Sequence, residues 1–183
     1  MNWVTTRCFI PARAVQAGSG YSQITTCPPD TEKRMVDEIR MTNVLLQTLD
    51  GCSTRTFAYP CGDTTAGDSS YIDDIKDIFP AARGVEGSIS RIEEVDLYNT
   101  DTYVINSQSG DALIGLVKQA MSQNGLVVFL FQGVGGGHSL NVSLEAHRQL
   151  LQFLKQQEGH LWIAPMIDIS AHVSNYQTEG NGT

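Results

Sequence analysis

The stretch Thr56-Phe57-Ala58-Tyr59-Pro60-Cys61-Gly62-Asp63 constrains the fold more than any other. β-Branched and aromatic residues favour a strand, and Pro followed two positions later by Gly ends it in a turn. A strand that runs straight into such a turn presents backbone N–H groups at its carboxyl end. A second segment, Val127 to His138 (VVFLFQGVGGGH), has the same character of apolar run followed by glycine-rich loop. Within it, Leu126 to Phe131 is a continuous apolar run of strand length, which predicts a strand covered on both faces, as in a parallel sheet wrapped by helices.

Helix signals fall between these strands. Pro28-Pro29-Asp30-Thr31 opens a helix with Asp30 or Thr31 as its N-cap and Glu32 near the positive end of the dipole. Met35, Ile39, Thr42, Leu46 and Leu49 are its expected buried face, and Gly51 its stop. A Gly, Asp and Ser-rich loop spans Gly62 to Ser70, followed by a short helix around Tyr71 to Ile78 that Pro80 closes. Ala81 to Gly84 and Thr102 to Ile105 read as short strands. Ser109 caps a helix that buries Leu113, Leu116, Val117, Ala120 and Met121 and ends at Asn124-Gly125. Ser143 caps another from Leu144 to about residue 157, with Leu144, His147, Leu151 and Leu154 on one face and Gly159 as its stop. Leu161-Trp162-Ile163 is the last strand. Strands alternating with helices give an α/β class with a parallel sheet.

The 183 residues, 41% hydrophobic and 17% charged, are expected to form one domain rather than two. Residues 1–27 lack a period and form a poorly defined segment, 28–175 carry the domain, and 176–183 read as a disordered tail. A net charge of −8 without a basic stripe speaks against a nucleic-acid partner. The acidic residues between Asp63 and Asp101 read as a solvated face. No apolar run approaches the roughly 18 residues of a membrane span. No signal peptide is visible, since Arg7, Pro11 and Arg13 interrupt any apolar core near the start. The four cysteines, Cys8, Cys27, Cys52 and Cys61, form no Cys-x-x-Cys pair and are expected to be free thiols.

Several motifs fail on inspection. Gly133-Val134-Gly135-Gly136-Gly137-His138 lies where a dinucleotide fingerprint would, but has His138 where the last Gly belongs. Gly137-His138-Ser139-Leu140-Asn141 misses the nucleophile elbow, which needs Gly at Asn141. The loop nonetheless follows a strand's carboxyl end, where wrapped parallel sheets bind ligands, and His138 is its candidate contact or proton shuttle. His147 shares a face with leucines and reads as a core histidine. No tight His cluster marks a metal, and a site would have to gather distant residues such as His138, Asp63 and Asp168.

FAYPCGD, AARG, VVFLFQGVGGGH with a downstream EAH, and LWIAP before IDISAHV together resemble the later part of the polysaccharide deacetylase domain. This is the NodB-homology or carbohydrate esterase family 4 fold, and the likeness covers roughly residues 28 to 173. The resemblance implies an incomplete or distorted (β/α) barrel. It implies a zinc or similar divalent cation whose bound water attacks an acetyl group on a sugar's nitrogen or oxygen, hence an acetylated carbohydrate partner.

The family's Arg-x-Pro-Tyr-Gly motif falls on Ala58 to Gly62. It makes the Cys61 backbone N–H the oxyanion donor and puts Ala58 where an arginine orients the base. The general-acid position falls on Gln132, which can hydrogen-bond a leaving group but cannot protonate it, a step left to His138. Tyr59, Pro60, Gly62, Asp63 and Gly133 are the implied substrate-binding residues. The metal ligands are not identifiable: Tyr21 and Thr25 align with the His-x-x-x-His pair, and the Asp-Asp pair would precede this sequence. The resemblance therefore leaves two expectations, a deacetylase or a catalytically silent carbohydrate-binding module or fragment. An incomplete barrel has an open sheet edge, so self-association is expected.

Overall fold

Capping residues act where local chemistry puts them. The computed structural model describes residues 2–4 and 31–180; the expectations for Cys8, Cys27, Tyr21, Thr25 and residues 181–183 lie outside the described residues. Thr31 Oγ1 accepts the Arg34 N–H (3.4 Å) and opens α1, Glu32–Asp50, which ends on left-handed Gly51. Ser109 caps α3, Gly110–Gln123, through the Ala112 N–H (3.2 Å), and Asn124 closes it at φ 56°. Ser143 caps α4, Leu144–Gln156, through the Ala146 N–H (3.1 Å). Each cap satisfies a backbone donor that the helix start leaves without a partner. Between α1 and α3 lies the short α2, Ile72–Ile78.

The strands are short: β1 Asn2–Val4, β2 Phe57–Ala58, β3 Thr65–Ala66, β4 Ser69–Ser70, β5 Ala82–Arg83, β6 Ser90–Arg91, β7 Tyr103–Ile105, β8 Gly125–Leu126, β9 Phe129–Phe131, β10 Gly133–Val134, β11 Asn141–Val142 and β12 Leu161–Ile163. The last helix, α5, is Met166–Gly180. Among the described residues one sheet has the order β12-β1-β8-β6, and β2-β5, β7-β9, β10-β11 and β3-β4 form pairs. All are parallel except β3-β4 and β6-β8. The class is mixed α/β, and none of these sheets is closed.

The chain divides into two compact units. Of the described residues, 2–4, 85–96 and 101–180 form one, and 31–84 with 97–100 the other. The physical reason is that each has its own apolar cluster. In the first, Leu113, Val117, Leu150 and Leu154 from α3 and α4 pack with Ile105, Val127 and Phe129. In the second, Met35 and Ile39 of α1 pack with Phe57, Tyr59, Tyr71 and Phe79. Phe57 stacks on Phe79 (5.1 Å) and meets Tyr59 edge-on (5.4 Å). The buried Arg55 is bonded throughout, to both Asp50 carboxylate oxygens, Asn43 Oδ1 and the Cys52 carbonyl.

Some sequence expectations shift. Leu49 is 81% exposed because the last turn of α1 runs past its cluster. On α4 the buried stripe is Ala146, Leu150 and Leu154, while Leu144 and Leu151 are 61% and 51% exposed. The helix is rotated so that its 146/150/154 stripe turns into the cluster, at i, i+4 spacing. The expected strand from Leu126 to Phe131 is two: the chain leaves β8, paired with β1 and β6, and enters β9, paired with β7. Val127 and Val128 between them stay buried. α5 continues to Gly180, past the expected start of the tail at 176, because Gln177 Nε2 donates to the Ile92 and Val95 carbonyls (3.1 and 3.0 Å) and Tyr176 donates to Glu93 (3.2 Å). No helix among the described residues is long and apolar enough to cross a membrane.

Candidate functional site

The turn after β2 is built from below. Gly62 N–H donates to the Tyr59 carbonyl (3.0 Å) and Asp63 N–H to the Pro60 carbonyl (3.0 Å). Pro60 leads the turn, and Cys61, at φ 57° and ψ 3°, takes a left-handed conformation. Gly62 follows at φ 84°. A left-handed non-glycine residue costs about 1–2 kcal/mol, and such strain persists only where the surroundings fix it. Here the surroundings are two buried tyrosines. Tyr59 OH donates to the Tyr98 carbonyl (2.7 Å) and Tyr71 OH to the Asp63 carbonyl (2.5 Å). Burial, with smaller contributions from Tyr59 and Asp63, pushes the Tyr71 phenol pKa well up.

Cys61 is also disulfide-bonded, where a free thiol was expected, while Cys52 is a free, exposed thiol. Bridge formation depends on Cα separations of about 4.4–6.8 Å in space, which sequence spacing does not reveal.

The expected substrate contacts on this turn divide. Tyr59 is 1% exposed and Pro60 is buried, so their side chains shape the turn from inside. Cys61 and Asp63 are exposed and Gly62 is half-buried. Ala58 pairs in register with Arg83, whose carbonyl accepts the Tyr59 N–H (3.2 Å). Burial lowers the Arg83 pKa, and its Nη1 donates to the Gly84 carbonyl (3.3 Å). Sequence reading did not single out this arginine beside the turn. Its signal was a cation directly following the apolar Ala81-Ala82.

The second candidate segment belongs to the other unit. β9 ends at Phe131, and exposed Gln132 leads into a loop whose ends pair in parallel, Gly133 with Asn141 and Val134 with Val142. The chain reverses between them through Gly135, Gly136 and Gly137, at φ 72°, 122° and 84°. A Cβ on Gly133 would lie 2.7 Å from the Gly136 carbonyl oxygen and 3.2 Å from His138 Cβ, so the loop closes tightly on itself. His138 Nδ1 accepts the Leu140 N–H (3.0 Å), and Asn141 Nδ2 donates to the His138 carbonyl (3.0 Å). The structure thus brings Gly133 and His138 together. His147 packs edge-on against Phe131 (5.0 Å), as a half-buried structural residue.

The described residues do not fit a metal site: no three or more His, Cys, Asp or Glu side chains among them converge on a point that could hold an ion. Gln132 and the Ala58 position add no metal donor, so no chemical step is assigned through a metal here. Compared with known proteins, the chain matches no family model, no curated protein and no solved structure.

Proposed function

We propose that this chain is a carbohydrate-acting domain of the polysaccharide deacetylase type, from a lineage that hydrolyses N- or O-acetyl groups on glycans and that folds as an incomplete or distorted (β/α) barrel. The observation that carries this reading is the Pro60-Cys61-Gly62 turn. It follows a buried parallel strand, holds Cys61 in a left-handed conformation, and is fixed by two tyrosine hydroxyls and a disulfide. Backbone oxyanion donors need this kind of rigidity, because a donor stabilises developing charge only if it is already oriented. In this reading the Cys61 N–H is the candidate oxyanion donor, and Gln132 and His138 are the candidate carbohydrate contacts of the loop after β9. Zinc or another divalent cation remains part of the proposal by resemblance alone.

A second reading, a catalytically silent carbohydrate-binding module, is favoured by two residues. Gln132 cannot protonate a leaving group, and Ala58 cannot orient a base. The test measures acetate release from acetylated chitin and xylan oligosaccharides in the presence of zinc, alongside affinity for the same oligosaccharides with and without chelator. Acetate release abolished by chelator is the expected outcome for the hydrolase. Chelator-independent binding without acetate selects the silent module, and absence of both removes the carbohydrate reading.

We also propose self-association through a sheet edge. Among the described residues β12 and β6 are the outer strands of the four-stranded sheet, and an edge strand's outward N–H and C=O groups invite a second copy. Sedimentation over a wide concentration range should show a dimer; a monomer throughout overturns this part.

A further inference from the structure

We propose that the carboxyl edge of the β7–β9 pair recognises a neutral, polyhydroxylated ligand, with Asn106 acting beside Gln132; this rests on the carbohydrate reading above. The parallel register sets Ile105 against Phe131. The next residues along the two strands are therefore Asn106 and Gln132, both exposed. Neither carboxamide is consumed by the fold. Ser107 Oγ reaches Asn106 Oδ1 at 3.4 Å, and no other described residue bonds the Asn106 carboxamide or that of Gln132.

The backbone beneath is fixed. Ser107 holds a left-handed φ of 65°, and its N–H donates to the Asn141 carbonyl (2.8 Å), which ties the end of β7 to the glycine loop. The Asn106 N–H is met by Gln108 Oε1 (2.5 Å). A strained non-glycine residue at a strand end is the kind of feature that marks a functional edge.

Charge selects the ligand class. The chain holds 20 acidic and 12 basic residues, yet none falls between Thr102 and Gly110 or between Gln119 and Leu144. These two segments contain both strand ends and the whole loop. An ionised ligand such as a phosphate or uronate is recognised by Arg or Lys, with charge-assisted bonds. Carboxamides instead offer two N–H donors and a carbonyl acceptor each, which matches the paired donors and acceptors of vicinal hydroxyls. The edge accordingly suits a neutral glycan.

The test follows the side-chain NH2 signals of Asn106 and Gln132 in nitrogen–proton spectra of the whole chain. The chain is titrated with chitopentaose bearing N-acetyl groups, with acetylated xylohexaose, and with inositol hexakisphosphate as the anionic probe. Both signals should move with a neutral oligosaccharide and stay still with the phosphate. Asn106→Ala should weaken oligosaccharide binding about tenfold, the loss of about 1.4 kcal/mol, without moving the melting temperature; Asn106→Asp, which keeps the shape but replaces the donor, should weaken it as well. If Gln132→Ala weakens binding and both Asn106 variants bind like wild type, this inference falls while the carbohydrate reading stands. Equal movement with inositol hexakisphosphate overturns the neutral-ligand class. If neither oligosaccharide binds the wild type, the carbohydrate reading falls and takes this inference with it.

Discussion

The turn after β2 and the loop after β9 both follow the carboxyl end of a parallel strand, yet they are held by opposite means. The turn rests on a core: Phe57, Tyr59, Tyr71 and Phe79 are each at most 2% exposed, and tyrosine hydroxyls bond backbone carbonyls from below. A disulfide at Cys61 adds a covalent tie. The loop owes most of its shape to its own backbone, with one outside tie from the Ser107 N–H to the Asn141 carbonyl. Three glycines carry positive φ, its ends pair with each other, and His138 bonds Leu140 two residues on. The lesson is that a left-handed turn can be fixed by distant aromatic packing, whereas a glycine-rich loop can be fixed mostly by local geometry. The first should be sensitive to core truncation and the second to added Cβ atoms.

The comparison breaks most readily at the core. Phe57→Ala removes a fully buried ring that touches two others and should destabilise its unit by about 3–5 kcal/mol. Urea denaturation followed by tyrosine fluorescence reads this, and a change below 1 kcal/mol would show that the turn does not rest on that cluster.

Reduction of the Cys61 bridge should cost about 2–4 kcal/mol. A melt with and without a phosphine reductant measures it. Amide exchange should rise at Cys61 and Gly62 and remain unchanged across Gly133 to Asn141; equal loosening of both would erase the contrast.

Gly135→Ala attacks the loop in turn. At φ 72° its new Cβ would sit 2.7 Å from Leu144 Cγ, and the left-handed backbone alone costs about 1–2 kcal/mol. The loss should appear as faster exchange at Gly135 and Leu140, with the turn's tyrosine environment unaltered.

The smallest effect sharpens the role of Tyr71. Its folded pKa is raised above the ordinary value of 10.0, so the protonated phenol contributes stability that is fully present below about pH 10 and is lost as pH rises towards the folded value. Tyr71→Phe removes the hydrogen bond to Asp63, about 1 kcal/mol near neutrality. It should also flatten the alkaline loss of stability. Melting temperatures of both proteins between neutral and strongly alkaline pH decide it: parallel curves would exonerate Tyr71.

How much was legible follows from range. Thr31, Ser109 and Ser143 cap the helices read from the sequence, and Gly51 and Asn124 stop two of them, because a cap is a bond between residues three or four apart. The Pro60-Cys61-Gly62 turn was legible for the same reason. Of the candidate site, the sequence located both strand ends and the loop. That Tyr59 and Pro60 are buried was not legible, since burial depends on Tyr71 and Phe79, many residues away. The hairpin of β3 and β4 was hidden in a Gly, Asp and Ser-rich loop whose polar residues carry no period.

The sequence by itself determined the α/β class, the helix ends and the uncharged stretches that surround Asn106 and Gln132, all properties of near neighbours and of composition. Tertiary structure alone decided which stripe of α4 is buried, that the apolar run from Leu126 divides between two sheets, that two apolar clusters form instead of one, and that Cys61 is bridged. Each of these depends on contacts between residues distant in the chain, and no local pattern encodes which distant partner will be met.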